Sequence, residues 1–224
     1  GITYDGSGNL YISSYHGHAI RQLSIADQVV NTIAGNYGAG YVDGKGASAQ
    51  FRYPLGLATD GSGNVYVADE QNHAIRQINN TCDVTTYAGQ GSFRNGSSAT
   101  ATFNRPAGLT VDESGNIYIA DIENHSIRKI SSAGVVTTLA GSGAGGYSNG
   151  TGTNASFYYP YDVAVDKSGN VYVADRSSQR IRKITSSGVV TTIAGSGSYG
   201  YADGNGESAS FRDPQGIVID DDGN

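Results

Sequence analysis

The chain has 224 residues, 38% of them hydrophobic, and carries 14 Lys and Arg against 20 Asp and Glu for a formal net charge of −6. That balance excludes a field that gathers nucleic acid or anionic membrane by itself, and no stretch reaches the roughly 18 apolar residues that a membrane-spanning helix needs. The single cysteine, Cys82, excludes an intrachain disulfide framework.

The 33 Gly are about twice the usual share of roughly 7%, which fits a chain of many turns, because Gly supplies positive φ cheaply. One phrase recurs. It reads GSGNLYISSYHGHAIRQL at 6–23, GSGNVYVADEQNHAIRQI at 61–78, ESGNIYIADIENHSIRKI at 113–130 and KSGNVYVADRSSQRIRKI at 167–184. Its Asn stands at Asn9, Asn64, Asn116, Asn170 and Asn224, in steps of 55, 52, 54 and 54, and its Arg at Arg21, Arg76, Arg128 and Arg182. So regular a period means one structural unit per repeat. The units run approximately 1–55, 56–107, 108–161 and 162–215, with a partial unit at 216–224, in a single domain. Without Met at position 1 or a secretory leader, the sequence reads as a segment of something longer or processed.

In chain order the third unit predicts strand a over GLTVD (108–112), a tight turn with Gly115 at a positive-φ position, and strand b over IYIAD (117–121). After a polar loop come strand c over SIRKI (126–130), a turn at SSAG, and strand d over VVTTLAG (135–141). A Gly-rich passage of about twenty residues leads on to Phe157 and Pro160. Strand b is apolar on both sides, Ile117 and Ile119 against Tyr118 and Ala120. Such strands sit between two other layers. For tandem four-stranded sheets this predicts an all-β fold with blades stacked around an axis, a β-propeller, of four complete blades and the first strand of a fifth, within a larger ring or array.

GNVYVAD-x-x-NHAIR (64–76) and GNIYIAD-x-x-NHSIR (116–128), with P-x-G-L at 54–57 and 106–109, resemble NHL repeats of the kind with a long loop between strand d and the next strand a. The resemblance implies a propeller, commonly six-bladed, in extracellular, bacterial surface or adaptor proteins. The first unit departs from it with Ser14 where the others have Asp69, Asp121 and Asp175, and the fourth has Gln179 in place of His.

The b-to-c and d-to-a loops are expected on one rim, which makes Tyr15, Glu70, Glu123, Arg176, Tyr41, Tyr147 and Tyr201 candidates for a ligand face. His18, His73 and His125 share one repeat position, too far apart on neighbouring blades to share a metal, and read as structural; the Arg and Asp of each unit read as a pair within the blade. Asp43, Asp203 and Glu207, beside glycines, are weak calcium candidates, with Asn95 and Asn149 at the matching positions elsewhere. Otherwise no cofactor is expected. Sequons at Asn79, Asn95, Asn124, Asn149 and Asn154 fall in turns or loops and support export and glycosylation. No catalytic motif is present. The reading is a non-catalytic extracellular structural and assembly module whose partners are copies of itself or further blades. The alternatives are a rim that binds protein or glycan, and a metal-dependent lyase or hydrolase.

Overall fold

The computed structural model describes residues 1–89, 95–220 and 222–223. Blade 1 is an antiparallel meander of β1 (Ile2–Tyr4), β2 (Asn9–Ser14), β3 (Ala19–Ser24) and β4 (Val29–Ala34). A two-residue strand, β5 (Gly44–Lys45), precedes blade 2, which comprises β6 (Pro54–Thr59), β7 (Val65–Asp69), β8 (Ala74–Ile78) and β9 (Asp83–Ala88). The pattern repeats with β10 (Gly96–Ser97) before blade 3, made of β11 (Pro106–Val111), β12 (Ile117–Asp121), β13 (Ser126–Ile130) and β14 (Val135–Ala140). It repeats again with β15 (Gly150–Thr151) before blade 4, made of β16 (Pro160–Val165), β17 (Val171–Asp175), β18 (Arg180–Ile184) and β19 (Val189–Ala194).

The second and third strands of unit three fall where the sequence places them; the first begins earlier, at Pro106, and carries a bulge before Leu109. The turn into β12 is set by Asp112, whose Oδ1 accepts the backbone N–H groups of Ser114 and Asn116, while Gly115 adopts φ +77. Asp5, Asp60 and Asp166 do the same in their blades. Three short helical turns (Glu70–Asn72, Ile122–Asn124, Arg176–Ser178) fill the b-to-c loops, each ending on a left-handed residue.

What periodicity does not foretell is the fifth strand. β5, β10 and β15 each cross from the preceding loop to the outer edge of the next sheet, pairing with β9, β14 and β19. An unpaired outer edge would otherwise present a row of free N–H and C=O groups.

The hydrophobic clusters each straddle a blade junction. Tyr66, Ala68, Ile75 and Ala88 of blade 2 meet Ile117, Ile119, Ile130 and Val136 of blade 3 through Ala101 and Phe103 of the intervening loop. On the opposite face of blade 3, Tyr118, Ala120 and Ile127 meet Val171, Val173 and Ile184 through Ala155 and Phe157. Strands β7 and β12 are thus buried at every position. The innermost strands β1, β6, β11 and β16 lie side by side around the axis, followed by residues 214–220, which take the path of a fifth inner strand without a strand to pair with.

The arc is open, and its two outer flanks differ from its interior. Val30 in β4 is 46% exposed, whereas its counterparts Val84, Val136 and Val190 are 1%, 0% and 1%. At the other end Ala209 and Phe211 are only half-buried where Ala155 and Phe157 are fully covered. Phe103→Ala should therefore destabilise the fold by about 3–5 kcal/mol in denaturant unfolding, and Phe211→Ala by well under half of that.

Candidate functional site: the loop rim and the central channel

The rim is built from inter-blade fastenings. Each blade ends its b-to-c turn on His18, His73, His125 or Gln179, all with φ between 46 and 57. The imidazole Nδ1 accepts the backbone N–H of Tyr53, Arg105 and Tyr159 in the next blade at 3.1, 3.1 and 3.2 Å. Gln179 serves with its Oε1, which accepts Asp213 N–H at 2.6 Å. Desolvation lowers the pKa of His73 and His125, keeping the acceptor nitrogen unprotonated. The fourth unit's departure from the repeat is thus a substitution of one acceptor for another.

Beneath this row lie the arginines. Arg76, Arg128 and Arg182 are fully buried and pair through Nη1 with Asp69, Asp121 and Asp175 at 2.9, 2.9 and 3.1 Å. The same Nη1 donates to the carbonyls of Gln50, Thr102 and Ser156, and Nη2 to the side chains of Asp43, Asn95 and Asn149. Burial pushes the Asp69 and Asp121 carboxyls up and that of Asp175 up to about 6, with hydrogen bonds and the facing guanidinium opposing. In blade 1, Ser14 replaces the carboxylate; the buried Nε of Arg21, like those of Arg76 and Arg182, makes no hydrogen bond among the described residues.

The calcium candidates part company here. Asp43 is engaged by Arg76 and by the N–H and hydroxyl of Thr86, so its position holds an arginine acceptor, for which the amides of Asn95 and Asn149 serve equally. Asp203 and Glu207 are exposed in the last loop, and among the described residues no group of three or more His, Cys, Asp or Glu is placed to hold a metal. The sequon asparagines divide likewise. Asn79 accepts N–H groups within its own turn, Asn124 donates to Asp121, and Asn95 and Asn149 receive the arginines. Asn154 is exposed.

Of the rim candidates, Tyr15, Glu70 and Glu123 come together through Arg105, which sequence reasoning passed over. The Tyr15 hydroxyl donates to Glu70 Oε2 at 2.8 Å, Arg105 grips Glu70 Oε1 through Nε and Nη2, and Arg105 Nη1 reaches Glu123 at 3.1 Å. The Glu70 side chain is 2% exposed, so it is a buried clasp and not a presented ligand contact. Arg176 lies on blade 4 over Tyr161, 5.4 Å from the ring centre, with Nε 3.8 Å from Asp213. At three junctions the residue after strand b meets the residue before the next blade's proline: Tyr15 with Tyr53, Glu70 with Arg105, and Arg176 with Asp213. Tyr41 and Tyr147 lie farther out over Arg76 and Arg180, and Tyr201 is exposed. Cys82 is half-buried in a turn of blade 2 with φ 61.

Inside the rim runs a channel of about 560 Å³ lined by the inner strands. A Cβ on Gly56 would collide with Ala107, and one on Gly108 with Asp162, so neighbouring strands approach too closely for a side chain. Blade 4 has Asp162 where blades 2 and 3 have Gly56 and Gly108, and its Oδ2 accepts Ile217 N–H at 3.0 Å. This carboxylate was not singled out from the sequence. The signal was P-Y-D at 160–162 against P-L-G, P-A-G and P-Q-G. Burial pushes Asp162 up to about 6 from an ordinary 3.8.

The NHL repeat family model matches residues 51–78, 103–130 and 157–184. NHL repeat-containing protein 2 of Bos taurus is 37% identical over 132 residues, covering 53% of this chain and 18% of its own length. Protein SUPPRESSOR OF QUENCHING 1, chloroplastic, of Arabidopsis thaliana is 29% identical over 243 residues, covering 100% of this chain and 23% of its own. The chain therefore spans about a fifth of these relatives. Among solved structures, an auxiliary nutrient binding protein of Bacteroides thetaiotaomicron superposes with TM-score 0.67 at 19% identity, over 99% of this chain and 64% of that one. A gluconolactonase of Xanthomonas campestris superposes with TM-score 0.67 at 15% identity, over 100% and 67%. These likenesses show the fold.

Two outcomes test the site. His125→Gln should preserve stability, as Gln179 does in blade 4, whereas His125→Ala strands the Tyr159 N–H and should cost about 1–3 kcal/mol in chemical unfolding. Because the folded Asp162 carboxyl titrates near 6 and the unfolded one near 3.8, its contribution is fully present below 3.8 and lost as pH rises through 6. Asp162→Asn should accordingly gain up to about 3 kcal/mol at pH 7.5 and almost nothing at pH 4, with the histidine effects cancelling between variant and wild type.

Proposed function

We propose that this chain, which belongs to the NHL-repeat family of β-propeller proteins, works as a non-catalytic extracellular structural and assembly module whose flanks are covered by further blades, from copies of itself or from a parent chain. The observation that carries the reading is the flank of blade 1. Leu10, Ile12, Leu23 and Val30 are all partly or largely open to solvent, whereas their counterparts in blades 2 to 4 are buried. Each such side chain is worth about 1.5–3 kcal/mol on burial, so the flank favours association. The opposite end offers the complement, since Asp203, Ala209 and Phe211 stand where Asn149, Ala155 and Phe157 meet the next blade.

The NHL-repeat relatives support the repeat architecture on which this reading builds. The gluconolactonase is an enzyme, but at 15% identity its likeness carries the fold alone. The export reading draws on Asn154, which is exposed at the end of the short helical turn Gly152–Asn154. No helix among the described residues is long and apolar enough to cross a membrane. A second reading, recognition of a protein or glycan at the rim, is favoured by Tyr147 and Tyr201, 60% and 87% exposed.

Sedimentation over a dilution series tests the assembly reading. Concentration-dependent oligomers are expected, dissociating at least tenfold more readily in Val30→Asp, whose exposed site leaves the interior blades untouched. A chain that stays monomeric at the highest concentrations would overturn it.

A further inference from the structure

We propose that the central channel binds a small organic ammonium compound, its cation on the Asp162 carboxylate and its apolar part against Leu55, Leu57 and Leu109. The inference is separate from the assembly reading and rests on the channel alone. Its volume of about 560 Å³ lies in the range of small-molecule sites, roughly 300–1,000 Å³. Among the described residues lining it, Asp162 is the sole charged side chain; Thr3, Thr110, Tyr161 and Gln215 are polar, and most of the rest are Leu, Val, Ile, Ala and Gly. An apolar wall with one convergent charge selects a ligand of opposite charge and apolar body.

The carboxylate is not required by the blade. The repeat places Gly at this point four other times, at Gly1, Gly56, Gly108 and Gly216. Blade 4 instead retains a buried anion that desolvation disfavours, and such a residue in a cleft is a mark of a site. Its oxygens accept two backbone N–H groups, Val163 at 2.9 Å and Ile217 at 3.0 Å. A carboxylate has about four acceptor positions, so capacity remains for a ligand N–H. Among the described residues no lysine or guanidinium lines the channel. Glu70, Arg105 and Arg176 lie at the mouth, around Tyr161. A calcium ion needs six to eight oxygens, and one carboxylate with scattered hydroxyls does not supply them. A singly charged ammonium, which needs only hydrogen-bond acceptors and one anion, suits what is there.

The probe is cyclohexylammonium chloride, with cyclohexanol and cyclohexanecarboxylate as neutral and anionic shapes of like size. Binding is followed by NMR at the Asp162 carboxyl carbon and the Leu57 and Leu109 methyls. The ammonium should saturate these signals at pH 7.5 at least tenfold more tightly than the alcohol. Its affinity should weaken about tenfold per pH unit below the titration of Asp162. Asp162→Asn, whose fold is checked by its unfolding midpoint, should lose at least tenfold, and so should Asp162→Gly, which restores the residue of the repeat. Equal binding of ammonium and alcohol, full affinity in either variant, or tighter binding of the carboxylate would overturn the assignment, the last pointing to Arg176 at the mouth.

Discussion

A buried guanidinium in each of three blades ties together pieces that no local propensity would join. Arg76, Arg128 and Arg182 reach the strand-b aspartate of their own sheet, carbonyls of the preceding loop and an acid or amide farther back in that loop. Each lies 5.2 to 5.3 Å over a buried phenylalanine, Phe51, Phe103 or Phe157. A charge removed from water needs partners, and here the two terminal nitrogens of each guanidinium find them while the Nε of Arg76 and of Arg182 does not. Loop, blade edge and junction must therefore form together or not at all, which couples each blade to its predecessor.

The same economy explains why residues that look like chemistry are mostly architecture. Histidines that repeat at one position are backbone acceptors, the recurring acid or amide receives an arginine, and the glutamate most deeply set in the rim neutralises Arg105. The rim contacts also change character from junction to junction. An aromatic pair joins Tyr15 to Tyr53, an acid meets a base at Glu70 and Arg105, and the polarity reverses at Arg176 and Asp213. Of the charges in these contacts only Glu70 is buried, so the junction of blades 2 and 3 is the one at which a mismatched neighbour would leave a charge both buried and unpaired.

Against that background Asp162 stands apart, because the repeat has glycine at its position in the other units. Inner strands approach closely where glycine allows it, and at blade 4 a carboxylate spans to Ile217 instead. The channel thereby acquires a carboxylate on one side.

The sequence alone determined the unit, its four strands and the need for cover on both faces, because side-chain alternation and turn residues act over a few neighbours. Strands β12 and β13 and the turn at Asp112 were legible for that reason. So were the structural reading of His73 and the pairing of Arg128 with Asp121. Only the tertiary structure decided where the long loops go. The strands β5, β10 and β15, the partnership of Asp43 with Arg76 and the clasp of Arg105 on Glu70 join residues some 33 to 40 positions apart, a distance over which no local pattern carries information. Likewise P-Y-D at 160–162 was visible as a break in the repeat, but that its acid faces a channel and not solvent follows from how four inner strands converge on one axis.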